Sequence, residues 1–348
     1  MENNTKQLKG ILVGCGFMGG MHAQIYKSLP NVELVAAVDG RIAESKEKLE
    51  KLGCPAPVFA KLSEALAAVD CDFVDVCMPT FLHKNYAIEA VEAGKALFCE
   101  KPLALSMEEA DAILSAAKAN GTFAQVGHCL RFWPEYMRFM KYHKSGDGGK
   151  LLSLSLVRRA GRPDYGIENW LNDESKSGGA ALDLHIHDTD FVLALLGQPN
   201  SVKSSVTRDY SGPVHVFSLM EYDGLTVCSE GGWNYPKNWG FQMAFHAVYE
   251  NAVLDFDSAN GKGLTICQGE EAPTPLDVVQ TDAGESQSGE GNVSDLGGYL
   301  NELKYFVKCL SEGVPPVIAT LEDARESLAL TLKAVSYTHL TLPTNREV

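Results

Sequence analysis

A short apolar strand, GILVG, runs directly into Gly14-Cys15-Gly16-Phe17-Met18-Gly19 and then into a helical stretch from Met18 to Leu29. No other segment limits the fold as much, because each glycine has its own steric task. The first makes the tight turn, the second lets backbone approach a pyrophosphate, and the third lets helix and strand pack closely. The helix then presents its positive N-terminal end to the phosphates. In a chain with 32 glycines the bare pattern is weak, and its place between strand and helix gives it weight. Gly14, Gly16, Phe17, Met18 and Gly19 are therefore candidate dinucleotide contacts. Asp39, about 20 residues further on at the end of VELVAAVD, is placed to accept from the adenosine ribose hydroxyls. Ionised, it repels a 2′-phosphate and favours NAD. Arg41 beside it can accommodate that phosphate, so NADP stays possible.

The next strands repeat the theme. DFVDVCM, KALFCE and TFAQVG alternate with helical stretches such as HKNYAIEAVEAG and SMEEADAILSAAKANG. Alternation of this kind implies parallel βαβ units in a doubly wound sheet covered on both faces. Ligands of such sheets bind beyond the carboxyl ends of the strands. That edge holds Pro79, Thr80 and His83 after one strand, and Glu100 and Lys101 after the next. Each could face a cofactor, or simply end a strand and begin a helix. A lysine beside a nicotinamide can hold a substrate hydroxyl and stabilise a developing alkoxide. An exposed lysine is more often just a solvated charge.

After about Val126 the pattern changes to strand-like runs with turns at Asp223-Gly224 and Glu250-Asn251, interrupted by one helix, roughly Ala180 to Leu196. The expected architecture is α/β: an N-terminal Rossmann domain over residues 1–126, then an α+β domain over 127–334 with an open, mostly antiparallel sheet. Residues 268–297, acidic and rich in Gly and Ser, read as a long loop. Two helices close the chain, and Thr320 with Asp323 is a plausible capping pair for the second.

Composition narrows the partners. A formal charge of −15 argues against nucleic acid or an anionic membrane surface. No apolar run approaches the roughly 18 residues that span a bilayer. Nine scattered cysteines without a Cys-x-x-Cys pair read as small buried hydrophobes in a reducing, cytoplasmic setting.

The stretch DLHIHD, residues 183–188, packs two aspartates and two histidines beside Gly178-Gly179. Together with the glycine loop, Asp39 and EKPLAL, the run SGGAALDLHIHDTDFVLALLG resembles the glucose–fructose oxidoreductase, inositol dehydrogenase and rhizopine-catabolism (Gfo/Idh/MocA) family, from about residue 8 to residue 334. The resemblance implies a nicotinamide-dependent dehydrogenase of sugars or cyclitols such as inositols. It carries a catalytic lysine onto Lys101, its acidic partner onto Asp183 and the acid/base onto His187. Helical spacing agrees, since Asp183 and His187 are i and i+4, and histidine titrates near neutrality. Alternatives on the same fold are a glycosidase that retains NAD and a non-catalytic sugar or nucleotide sensor. The resemblance also implies a homodimer or homotetramer. His185 departs from the family pattern and either reaches substrate or packs. Further substrate-contact candidates are His128 and Arg131 after the last Rossmann strand, and Arg162, Tyr165 and Trp170 before the catalytic helix. Trp233 and Trp239 suit the substrate pocket and a core or subunit interface equally. No second Cys/His cluster stands beside DLHIHD at zinc-site spacing, so no metal is expected.

The final apolar helical face stops abruptly at SYTHLTLPTNREV. One back-translation of Val335 to Thr344 is gtc tct tat aca cat ctg acg ctg ccg acg. It resembles the transposase end and adapter of sequencing-library preparation, so residues 335–348 are expected to be adapter read-through rather than native chain.

Overall fold

The structure, a computed structural model, describes residues 6–279 and 297–336. Its first half contains β1 (Leu8–Val13), α1 (Phe17–Ser28), β2 (Val32–Val38), α2 (Ile42–Lys51), β3 (Val58–Phe59), α3 (Leu62–Ala68), β4 (Phe73–Val76), α4 (His83–Glu92), β5 (Ala96–Cys99), α5 (Met107–Asn120) and β6 (Ala124–Val126). The strands form one sheet in the order β3-β2-β1-β4-β5-β6, with every pairing parallel. All four residues of β4 are buried, as expected of a strand covered on both faces. The chain order reverses between β1 and β4, and this switch point opens a crevice at the carboxyl ends of the strands. Local signals set the helix ends. Ser106 accepts from Glu109 N at 3.2 Å to start α5, and Gly121 ends it in the left-handed conformation.

The second half comprises α6 (Pro134–Ser145), β7 (Leu151–Gly161), α7 (Glu174–Ser177), α8 (Ile186–Leu196), β8 (Ser201–Asp209), β9 (Gly212–Tyr222), β10 (Leu225–Tyr235), β11 (Phe241–Tyr249), β12 (Ala252–Asp257), β13 (Thr265–Gln268), β14 (Thr274–Pro275), α9 (Gly297–Glu312) and α10 (Leu321–Ser336). Its eight-stranded sheet runs β14-β13-β12-β11-β7-β10-β9-β8 and is antiparallel except where β10 pairs with β7. The expected fold class, a doubly wound parallel sheet plus a mostly antiparallel one, is therefore present. Helix α6 is an element the strand-like reading of this half does not anticipate. The acidic stretch 268–297, read as a loop, starts on the last residue of β13 and contains the short β14, and its residues 280–296 lie outside the described residues.

The last two helices fasten the halves together. Leu300, Leu303 and Phe306 of α9 pack with Met21, Ile25 and Tyr26 of α1 on one face of the parallel sheet. Leu321, Ala324 and Leu328 of α10 join the core on the opposite face, while Leu330 and Ala334 join the core under the second sheet. Each fully buried leucine or phenylalanine here contributes about 1.5–3 kcal/mol. Helix α10 starts with the expected reciprocal cap: Thr320 N donates to Asp323 Oδ2 at 3.0 Å, and Asp323 N to Thr320 Oγ1 at 3.1 Å. Residues 337–348, most of the suspected adapter-encoded tail, lie outside the described residues.

Candidate active site

The glycine turn between β1 and α1 is built by exclusion. Gly14 has φ +96°, and a Cβ on it would lie 2.7 Å from the Cys77 carbonyl oxygen. A Cβ on Gly19 would lie 1.8 Å from the Gly14 oxygen, so only glycine lets α1 close on the turn. At Gly16 the situation is opposite, because a Cβ there would meet nothing within 4 Å. Gly16 caps α1 without any side-chain hydrogen bond. The first N–H groups of α1 are thus left to an external acceptor, and a pyrophosphate fits that need. Asp39 is fixed beside the turn, accepting from Cys15 N and Arg41 N at 2.9 Å each. The residues present fit a dinucleotide.

From this turn a cavity of about 580 Å³ extends into the space between the two sheets. Gly14, Gly16, Phe17, Met18, Asp39, Pro79 and Thr80 line its first part. Glu100 and Lys101 lie on its floor, and Tyr165, Trp170, Asp183 and His187 close it from the second half.

The chemically active groups meet where the halves adjoin. Lys101 Nζ donates to the Asp183 backbone oxygen at 2.9 Å and to Asp183 Oδ1 at 3.1 Å. Asp183 stands in a single π-helical turn, Ala181–His185, that leads into α8. Such turns are rare and recur at functional sites. The preceding glycines hold positive φ, and a Cβ on Gly179 would strike the Pro213 oxygen at 2.5 Å. This glycine pair is what lets the turn dock on β9. His187 follows on α8 and is 8% exposed, with its Nδ1 3.8 Å from the Cys129 thiol. Burial, then the Lys101 and Arg158 cations, hold its pKa well below the ordinary histidine value. At neutral pH it is therefore an uncharged base facing the cavity beside a fixed cation.

Several expected contacts are not brought to the cavity. His83 is buried, with Nδ1 2.8 Å from the Pro102 oxygen and Nε2 2.7 Å from the Met78 oxygen. It ties two loops together instead of facing a cofactor. His128 is buried 3.6 Å from Asp190, and Arg131 is held by Asp190 and Asp323. Arg162 pairs with Asp209 and donates to Asn172 and Ser211. Arg41 leans on Asp39 and Glu44 at the rim. His185 is turned into the second sheet, where its Nε2 lies 2.9 Å from Ser218 Oγ. Burial, His215 and Arg158 lower its pKa to about 4. Of its two readings, packing is what the geometry displays.

Arg158 is a charged cavity residue that sequence reasoning missed. It points inward from β7, forms a buried two-point pair with Asp188 at 3.0 and 3.1 Å, and lines the cavity with Phe241 and Met243. Its position in the alternating pattern of β7 was the available signal: Leu154, Leu156 and Ala160 share its face. Among the described residues, the groupings close enough to share an ion are His22–Asp75–Cys77 and His22–Glu100–Glu302, with ligand atoms within 4.8 Å of one another. Neither includes a residue of DLHIHD. All nine cysteines are free, with Cys228 and Cys267 partly exposed.

Known proteins align with both halves. Residues 8–128 match a family model described as an oxidoreductase family with an NAD-binding Rossmann fold, and residues 136–254 match a GFO/IDH/MocA C-terminal domain. D-glucoside 3-dehydrogenase of Escherichia coli (strain K12) is 31% identical over 92% of each chain. scyllo-Inositol 2-dehydrogenase (NAD(+)) of Bacillus subtilis (strain 168) is 25% identical over 98% of this chain and 97% of its own. A solved levoglucosan dehydrogenase, in complex with NADH and levoglucosan, superposes with a TM-score of 0.81 at 22% identity over 95% of this chain and 97% of its own.

Proposed function

Because the chain belongs to the GFO/IDH/MocA oxidoreductase family, with its NAD-binding Rossmann fold, we propose that it oxidises a secondary hydroxyl of a sugar or cyclitol. The observation that carries this reading is the Lys101–Asp183 pair lying beside an uncharged His187 in one cavity with the glycine turn. The bound dinucleotide supplies the hydride acceptor. Everything else falls to side chains of this chain. Asp183 anchors the Lys101 ammonium, which stabilises negative charge as it develops on the substrate oxygen. His187 takes the hydroxyl proton. Tyr165 and Trp170 offer aromatic faces to the apolar side of a sugar ring. The deciding experiment is a panel of sugars and cyclitols with NAD⁺, read as net NADH. Tight nucleotide binding with no turnover on any of them would sink the reading.

The Asp39 carboxylate, 5% exposed and fixed by two backbone donors, gives the site its preference for NAD. Asp39→Ala removes a charged acceptor for ribose and the repulsion of a 2′-phosphate. The ratio of NAD⁺ to NADP⁺ affinity should fall by about ten- to a hundredfold, matching about 1.5–3 kcal/mol for a charge-assisted contact. Competitive titration against both nucleotides checks this, and an unchanged ratio would move discrimination away from Asp39.

Among the described residues, no helix is long and apolar enough to cross a membrane. The outer face of the second sheet exposes Phe217 and Leu219 of β9, at 46% and 45%. A cytoplasmic homodimer or homotetramer formed through that face accounts for this exposure. Light scattering should return twice or four times the 37.7 kDa chain mass, and a monomer would exclude the arrangement.

A further inference from the structure

At and beneath the cleft floor, side chains from α1, β4, β5, β6 and α9 converge in a buried cluster. His22 and Tyr26 come from α1, Asp75 and Cys77 from β4 and its exit, Glu100 from the end of β5, Gln125 from β6 and Glu302 from α9. His22 Nδ1 donates to Asp75 Oδ2 at 2.8 Å, and its Nε2 lies 3.3 Å from Glu100 Oε1. Glu100 Oε2 accepts from the backbone N–H of Lys101 at 3.1 Å. Gly127 makes room for this, since a Cβ there would lie 2.8 Å from Glu100 Oε1.

Glu302 is the unexplained member. It is 0% exposed, yet neither of its carboxyl oxygens has a hydrogen-bond partner among the described residues, and His22 Nε2 and Glu100 Oε1 are likewise unsatisfied. Each of the three side chains brings a ring nitrogen or a carboxylate oxygen to within 4.8 Å of the other two. Charge decides what they do. Ionising Asp75, Glu100 and Glu302 against one imidazolium leaves excess negative charge in a dry site, at a cost of several kcal/mol. Glu302 has no donor to support ionisation, so the proton rests there. Burial, then the Glu100 charge, hold its pKa well above the usual range. Burial works to lower the His22 pKa, but Asp75 beside it reverses this and keeps the imidazolium charged. Protonated Glu302 becomes a donor, and a Glu100 carboxylate oxygen lies within 4.8 Å of it to accept.

We infer that Glu302 is a positioning residue for Lys101, sharing its proton with the Glu100 carboxylate that holds the Lys101 backbone, with the His22 imidazolium between Glu100 and Asp75. A residue of α9, far along the chain from Lys101, thereby sets the ammonium group that faces Asp183. The inference rests on Lys101 being the reaction's lysine, but its test needs no substrate. In the full chain at neutral pH, an infrared difference spectrum of wild type against Glu302→Gln should show a protonated-carboxyl C=O band that the variant lacks. Acetic anhydride labelling of Lys101, followed by peptide mass spectrometry, reads the position. Glu302→Gln keeps a donor to Glu100 and should label at the wild-type rate. Glu302→Leu removes it, and labelling should rise about tenfold, the scale of one lost buried hydrogen bond. A wild-type rate in Glu302→Leu would overturn the inference, as would absence of the infrared band, which still decides if Glu302→Leu does not fold. Stoichiometric transition metal in the purified protein, lost in Glu302→Gln, would also overturn it by making these atoms ligands. These outcomes are separate from failure of the dehydrogenase reading, which would appear as no turnover with the labelling pattern intact.

Discussion

His187→Ala should lower kcat with NAD⁺ and a turned-over polyol by about 10²–10⁴-fold, the range of a lost general base, with NADH affinity unchanged. The asymmetry follows from where His187 sits. It faces the part of the cavity closed by Asp183 and Trp170, while the glycine turn and Asp39 line the nucleotide end. The pH dependence carries the same signature. Burial and the Lys101 and Arg158 cations depress the folded-state pKa of His187 below its unfolded value of 6.5. The base therefore stays uncharged at pH values where a free imidazole is already protonated, and the acid limb of kcat/KM should lie below pH 6.5. Stability has the opposite exposure. As pH falls through 6.5, the unfolded chain takes up a proton that the folded site refuses, so this histidine favours unfolding in acid. Near-normal turnover in His187→Ala, or an acid limb above pH 6.5 that the variant retains, would remove His187 from the reaction.

How much of this was legible in the sequence depends on the kind of constraint. The glycine turn is local: strand, turn and helix are contiguous, and Gly14 and Gly19 fail sterically if replaced. Asp39 and Lys101 are one step harder, being placed by the rule that function collects at the carboxyl edge of a parallel sheet. DLHIHD was legible as a cluster, but helical spacing alone did not say where His185 goes. That depends on β9 supplying Ser218 and on Gly231 of β10, where a Cβ would lie 2.9 Å from the His185 backbone. Only their place after the last Rossmann strand points His128 and Arg131 to the cleft. Their partners, Asp190 and Asp323, come from α8 and the start of α10. A pairing of charges across such sequence distance leaves no periodic mark. Helix α6 went unread for a related reason. Its buried Tyr136, Phe139 and Tyr142 find their partners only in distant strands such as β11, where Phe245 stacks on Phe139 with ring centroids 4.7 Å apart. Glu302 is the extreme case, since nothing in YLNELKYFV separates it from a solvated glutamate.

Gly19→Ala and Gly16→Ala should fail in different ways, and the difference tests the cofactor end. An added Cβ at Gly19 lies 1.8 Å from the Gly14 oxygen and 2.9 Å from its carbonyl carbon. No side chain can move aside, because the obstacle is backbone. Gly14 cannot retreat either, since it already sits against the Cys77 carbonyl at positive φ. The helix must lift off β1, at a cost of about 1–3 kcal/mol for overpacking. Gly19→Ala should therefore lower the melting temperature and weaken NADH binding together. At Gly16 the new methyl meets no protein atom within 4 Å, so the apo protein should melt as wild type does. The methyl instead occupies the approach to the uncapped N–H groups of α1, and NADH affinity should fall about tenfold, about 1.4 kcal/mol. Fluorescence titration with NADH and thermal melts of both variants separate the cases. If Gly16→Ala binds NADH like wild type, the pyrophosphate does not approach α1 over this glycine. If Gly19→Ala melts unchanged, the close contact between the turn and the helix is not what holds α1 to the sheet.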